Sequence, residues 1–177
     1  MALDDCNLLQ GRQIDCRDGN GGIETVYITE LENEAAKTTA SGIVTAFTLN
    51  TGKKFWTYEV EKENAELVET EQVSVETGTT FWEQVLTFTI MKLTASSRNE
   101  LRLLAQNRLH IIIKDNNGTF WLLGEERGCD KIGTNEAKTG KAFGDLTGYT
   151  LAFMGKEVAP MVVVTASLID TLTVAAP

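Results

Sequence analysis

Hydrophobic and polar positions alternate along much of this chain, and the alternation is longest in its middle. Residues 66–77 and 80–93 form two extended runs meeting at Thr77-Gly78-Thr79. In the first run one parity is mostly polar (Glu66, Thr70, Gln72, Ser74, Glu76), while the other carries Leu67, Val73 and Val75. In the second, Trp82, Leu86, Phe88 and Ile90 share a parity, and Glu83, Thr87 and Thr89 share the other. A period of two puts alternate side chains on opposite faces of a strand. The runs therefore predict a hairpin with one buried and one wet face. Strands usually extend for about 5–6 residues, so arms this long project beyond a small domain. Their unpaired edges then call for a covering neighbour.

Shorter extended runs are predicted at 23–29, 43–49, 54–60, 108–114, 119–124 and 149–158. Asp115-Asn116-Asn117-Gly118 between apolar runs is a hairpin signal. One segment follows a helical period, 97–107. Ser97-Arg98-Asn99-Glu100 fits a capping box at its start, and Leu101, Leu104 and Ala105 then fall on one face. Residues 30–42 read as a polar loop with room for one helical turn. Residues 125–146 read as a long Gly-rich loop, and 161–172, after Pro160, as a strand or short helix. Strands, one helix, then strands again give no βαβ rhythm, which argues against a doubly wound sheet. The expected fold is mainly β, a β-sandwich or barrel with long hairpins and one flanking α-helix. The expected organisation is an N-terminal arm over 1–22, ending in Asp18-Gly19-Asn20-Gly21-Gly22, and a single β-rich domain over 23–177.

Composition narrows the function classes. The 177 residues are 42% apolar, enough for a core, and carry a net charge of −9. Such a chain repels phosphate and is a poor candidate for gripping nucleic acid. It could still line a conduit that DNA slides through. The odd cysteine count (Cys6, Cys16, Cys129) argues against a disulfide framework, although a Cys6–Cys16 bridge stays open. The N-terminus lacks a basic start followed by an apolar run. The most apolar stretch, 158–169, falls short of the ~20 residues that span a bilayer. No membrane anchor is expected.

A search for chemistry returns little. His110 is the sole histidine and lies in the apolar run Leu109-His110-Ile111-Ile112-Ile113, where a locally satisfied strand residue is the simpler reading than a general base or ligand. Cys6, Cys16, Cys129 and His110 match no zinc-module spacing. Gly140-Lys141 resembles the end of a phosphate-binding loop, but Asn135 and Ala142 occupy positions where that motif needs Gly and Ser or Thr. Asp18-Gly19-Asn20-Gly21 lacks the remaining ligands of a calcium loop. Glu69 with Glu71, and Glu125 with Glu126, are pairs that a glycosidase would have to face across a cleft; solvated strand charges are the simpler reading. Asn117-Gly118-Thr119 is a glycosylation sequon that coincides with the predicted turn. The expectation is no catalytic residues, no metal and no cofactor.

Aromatic residues come in adjacent pairs: Phe55-Trp56, Phe81-Trp82 and Phe120-Trp121. Neighbours on a strand point to opposite faces, so each pair turns one ring outward. Trp56, Phe81 and Trp121, with Lys141 and Phe143 in the Gly-rich loop, are candidates for a subunit interface, where aromatics are enriched.

From Glu66 to Val164 the layout is a long hairpin, one capped helix, a DNNG hairpin, a long loop and a late strand. It resembles the tail-tube family of phages and contractile injection machines. Phe120-Trp121-Leu122-Leu123-Gly124, Thr139-Gly140-Lys141-Ala142-Phe143-Gly144-Asp145 and Gly148-Tyr149-Thr150-Leu151 also look like structural proteins of Bacteroidetes phages. The resemblance implies a β-sandwich closed into hexameric rings that stack into a tube. It implies that Glu66, Thr70, Gln72, Ser74, Glu76, Glu83, Thr87 and Thr89 face the lumen, with DNA passing unbound. The arm and loops would contact the next ring. Partners would be copies of the chain and other tail or neck proteins, in a virion assembled in the bacterial cytoplasm. The alternatives are another virion role (neck, tail terminator or head decoration), a small-ligand barrel lined by Trp82, Phe88 and Phe153, and an enzyme using paired carboxylates.

Overall fold

A computed structural model describes Gly11, residues 17–133 and residues 135–174. Cys6 and Cys16, and with them the question of a bridge, lie outside the described residues, as does most of the arm. Thirteen strands occur among the described residues, joined in one mixed sheet. In chain order they are β1 (Ile23–Glu30), β2 (Glu34–Ala40), β3 (Ile43–Leu49), β4 (Phe55–Glu59), β5 (Ala65–Ser74), β6 (Thr79–Met91), β7 (Leu109–Asp115), β8 (Phe120–Leu123), β9 (Cys129–Lys131), β10 (Glu136–Lys138), β11 (Gly148–Glu157), β12 (Val162–Val164) and β13 (Thr173–Val174). Helix α1 (Ala95–Gln106) follows β6, and α2 (Ala166–Leu172) follows β12. The fold is mainly β, as expected, with helices packed on a sandwich.

The main strand order is β2-β3-β12-β8-β7-β9-β11-β6-β5. Strand β1 lies between β7 and β4, β10 adds to β11, and β13 adds to β4. The turn from one layer to the other runs through β9. It touches β7 at the single pair Leu109↔Cys129 and pairs β11 over three residues.

The strands β1, β7 and β8 explain why 109–113 does not alternate: both of their faces are buried, His110 included. One face sends Val26, Ile28, Ile111, Ile113 and Leu123 into a core shared with Leu86, Phe88, Leu151 and Phe153 of β6 and β11. Leu101 and Leu104 of α1 close that core. The opposite face sends Tyr27, Ile112 and Leu122 into a second core with Val44, Phe47, Phe55, Val162, Val164 and two residues of α2, Ile169 and Leu172. Phe47 of β3 and Phe55 of β4 meet edge to face at 5.6 Å. Their strands lie on opposite sides of the β12-β8-β7-β1 block, so this layer curls around the second core. Fully burying each such side chain contributes about 1.5–3 kcal/mol.

Four local expectations are corrected. Residues 34–40 are a strand, not loop. They pair with β3 through a two-residue turn at Ser41-Gly42, both with positive φ (51° and 76°), the backbone a tight hairpin needs. Only 31–33 form the helical turn. The helix starts at Ala95, two residues before the expected position. Thr94 is its cap, its hydroxyl accepting from the Ser97 amide at 3.2 Å. Glu100 bonds elsewhere, accepting from the Tyr58 hydroxyl at 2.5 Å, and Ala105 is exposed. The loop 125–146 carries β9 and β10, which find their partners only in tertiary structure. The segment 161–172 is strand and helix in succession, so two helices flank the sheet instead of one.

Candidate assembly surfaces

The overlong hairpin is present. Strands β5 and β6 pair in unbroken register from Ala65↔Phe88 to Ser74↔Thr79. Residues opposite one another in register share a face. Glu66 with Thr87, Thr70 with Glu83, Gln72 with Phe81, and Ser74 with Thr79 therefore stand on one side. Seven of the eight residues expected on the wet face lie there: Glu66, Thr70, Gln72, Ser74, Glu83, Thr87 and Thr89. Glu76 does not; it belongs to the turn at 75–78. Strand β11 extends the same face with Thr150, Ala152, Met154 and Lys156. That extension was hidden in sequence because it depends on a long-range pairing. It also tempers the acidity: Lys156 lies 3.3 Å from Glu83, and on β10 Lys138 lies 2.5 Å from Glu136. The surface mixes hydroxyls with apolar side chains, Val68, Phe81, Val85, Met91 and Met154 among them, and charge is its smaller part.

Strand β5 ends the strand order, so one of its edges carries backbone groups with no strand partner along ten residues. The tip leaves the body altogether. Val73, on the parity that is buried further down, is 61% exposed, and Val75, in the turn, is 92% exposed.

The aromatic candidates divide. Phe55 is fully buried and Trp56 is 56% exposed, as the alternation requires. Phe81 and Trp121 are instead half-buried and already partnered. Phe81 lies under the Lys156 ammonium at 5.7 Å, and the Trp121 indole donates to Asp115 at 3.1 Å. Trp121 packs on one core and Phe120 on the other, since both faces of β8 are covered. Phe143 is wholly exposed on the loop between β10 and β11. That loop is nonetheless ordered. The Asp145 carboxylate accepts from the Lys141 and Ala142 amides at 2.8 and 2.9 Å, which holds its pKa below the usual value. Thr147 donates across the loop base to the Thr139 carbonyl at 3.0 Å.

A cavity of about 570 Å³ opens between α1 and the β1–β4 pair, lined by Trp56, Tyr58, Leu103, Leu104 and Val174 with Glu100 and Lys53. Burial, then the Glu100 carboxylate beside it, pushes the Tyr58 hydroxyl well above its ordinary value. Tyr58 therefore remains a donor. This is not the barrel cavity considered from sequence. Phe88 and Phe153 are buried and stacked at 5.9 Å in the first core, and Trp82 is half-buried near the hairpin tip.

Several polar groups of the interior are held by hydrogen bonds that brace the strands. Gln84 interrupts the apolar parity of β6. Its amide donates to Glu69 at 3.2 Å and its carbonyl accepts from the Gly124 amide at 3.1 Å. Glu69 also accepts from the Met161 amide at 2.7 Å, tying β5 to the segment before β12. Buried Glu157 accepts from the Glu126 and Arg127 amides and fixes the turn into β9. Glu69 thus faces inward while Glu71 is exposed, and the Glu125-Glu126 pair contributes a backbone donor to Glu157. His110 is enclosed against the Phe47 ring at 5.6 Å. Its Nε2 lies 2.7 Å from a Glu34 oxygen, though neither ring nitrogen is well aligned for a hydrogen bond. Cys129 is buried, and burial raises its thiol pKa far above the ordinary value. Among the described residues, no three His, Cys, Asp or Glu side chains are grouped as a metal site would need. Among those residues, too, no helix is long and apolar enough to cross a membrane.

No family model, no curated protein and no solved structure matches this chain.

Proposed function

We propose that this chain is a structural subunit of a bacteriophage virion, a tail tube protein whose copies join into stacked rings around a DNA conduit. The observation that carries the reading is the β5–β6 hairpin, with an open ten-residue edge and a valine-bearing tip projecting from the body. An exposed edge of that length is a template for pairing with another chain. Neighbouring copies that cover it would satisfy both its backbone groups and its apolar tip. The face of β5, β6 and β11 that carries Thr70, Ser74, Thr87, Thr89 and Thr150 suits the lumen. Its Thr and Ser side chains keep water at the wall, while the net charge of −9 discourages phosphate from adhering. No catalytic step, metal or cofactor enters the reading.

The test is to determine the mass of the purified protein in solution and to image any large species by electron microscopy. Rings or tubes with a central channel are expected. A chain that stays monomeric at every concentration and in its native particle would defeat the reading.

A further inference from the structure

The open edge of β5 has no guard. Edge strands are ordinarily protected by proline, lysine or a bulge. Strand β5 contains neither residue, and its register with β6 is unshifted along all ten residues. The N-terminal arm leaves the body beside this edge. Asn20, Gly21 and Gly22 line one hollow of about 280 Å³ with Ala65, Glu66 and Leu67, at the start of β5. The turn after β7 pins the arm there. The Asn20 backbone amide donates to the Asn117 side-chain oxygen at 2.7 Å, and the Asn117 side chain donates back to the Asn20 carbonyl at 2.8 Å. The Asn116 side chain donates to the Gly21 carbonyl at 2.5 Å. Among the described residues, no backbone hydrogen bond joins 17–22 to β5, so the arm starts beside the edge without pairing to it.

We infer that the N-terminal arm of one copy adds a strand, drawn from residues 6–14, to the β5 edge of an adjacent copy. Length and placement favour this occupant. Extended, residues 6–14 reach about 30 Å, close to the about 33 Å of a ten-residue strand. Residues 15–19 leave about 16 Å of chain to cross from the pinned Asn20 to a touching copy. The arm contains no proline, so each of its residues can donate to a ladder. The run 6–14 carries Arg12 and no carboxylate, and it can lie along Glu66 and Glu71 without like charges meeting. Arm and edge are different patches, so the contact is heterologous: every copy offers one of each, and the contacts close into a ring or continue as a filament. The inference rests on the reading of the chain as a self-assembling subunit.

Hydrogen exchange of the β5 peptide, read by mass, tests it in three full-length samples. They are the wild type, a variant carrying Leu8→Pro with Leu9→Pro, and an equal mixture in which the variant is labelled with heavy nitrogen so that its peptides separate. The prolines remove ladder donors of both parities and lie outside the body, so the thermal midpoint of the dilute chain should not move. Where it does, Asn7→Pro with Leu8→Pro replaces the pair. On association, the edge-facing amides of wild-type β5 should exchange roughly tenfold more slowly than in the dilute chain, and those of the variant alone should not slow. In the mixture the labelled variant's β5 should slow too, because a wild-type arm reaches it. Protection confined to the wild-type copies would show each arm covering its own edge and overturn the inference. Slowing in the variant alone would assign the edge to another segment, and an associated wild type without slowing would leave the edge uncovered. Either result overturns this contact and leaves the self-assembly reading standing. A wild type that is monomeric at every concentration overturns both.

Discussion

His110 is enclosed by the Phe47 ring, with Glu34 and Lys37 of β2 the charges nearest it. Burial lowers its pKa below the ordinary value; Glu34 opposes that shift and Lys37 adds to it. The unfolded chain therefore binds this proton at higher pH than the folded chain does. The stabilisation is present above about pH 6.5 and is withdrawn as pH falls below that value. Urea midpoints measured between pH 7.5 and 5.5 should fall for the wild type. They should fall less steeply for His110→Gln; equal slopes would show that the imidazole contributes nothing. Cys129 lends itself to a second measurement. Its buried, protonated thiol should resist alkylation in the native protein and react once denatured, which peptide mass mapping can separate from Cys6 and Cys16. Gly148 is fixed by space: a Cβ there would lie 2.2 Å from the Ile90 carbonyl oxygen across the β6–β11 pair. Gly148→Ala should destabilise by about 1–3 kcal/mol in chemical denaturation.

At the scale of elements, the hairpin allows the proposed assembly to be tested apart from stability. Its lower half is packed through Leu67, Leu86 and Phe88, whereas its tip touches little of its own chain. Replacing residues 73–80 by Asn-Gly would join Gln72 to Phe81, which already face each other, through a two-residue turn. Stability should change by no more than about 0.5 kcal/mol, as for other surface changes, while ring formation is lost. If rings persist, the tip is not the lateral contact. The hairpin was legible from sequence because a period of two prevails on both sides of a Gly-centred turn, despite Gln84 in β6 and Glu69 and Glu71 in β5. Strand β2 was not, because Glu34 to Ala40 has no alternation; it is a strand through the register β3 imposes and the Ser41-Gly42 turn. The helix was legible to within two residues. The Ser97/Glu100 capping box competed with an equally good cap at Thr94, and Tyr58, remote in sequence, recruited Glu100.

For the whole molecule, net charge would set the terms of the proposed self-association. Copies that each carry −9 repel, and the repulsion reaches about 30 Å at 0.01 M salt but only about 8 Å at 0.15 M. Assembly should therefore strengthen as salt rises over that range, measured by light scattering at fixed protein concentration. Weakening would show that ion pairs across the interface outweigh the mutual repulsion.

Sequence alone determined the elements whose information is local: the alternating hairpin, the Asn-Gly turn, the helix after the hairpin and the predominance of strands around it. It also marked most of one wet face, because a strand's parity is set by pleating and does not depend on the neighbour. Tertiary structure decided everything that rests on pairing between distant residues. It placed Lys156 opposite Glu83, divided the apolar run at β7 between two cores, enclosed Gln84 and Glu157 as braces, and opened a cavity beside α1 to which residues from 28 to 174 contribute. The physical reason is the same throughout. Backbone period and turn chemistry are properties of a few consecutive residues, whereas burial and pocket shape depend on which segments the chain brings together.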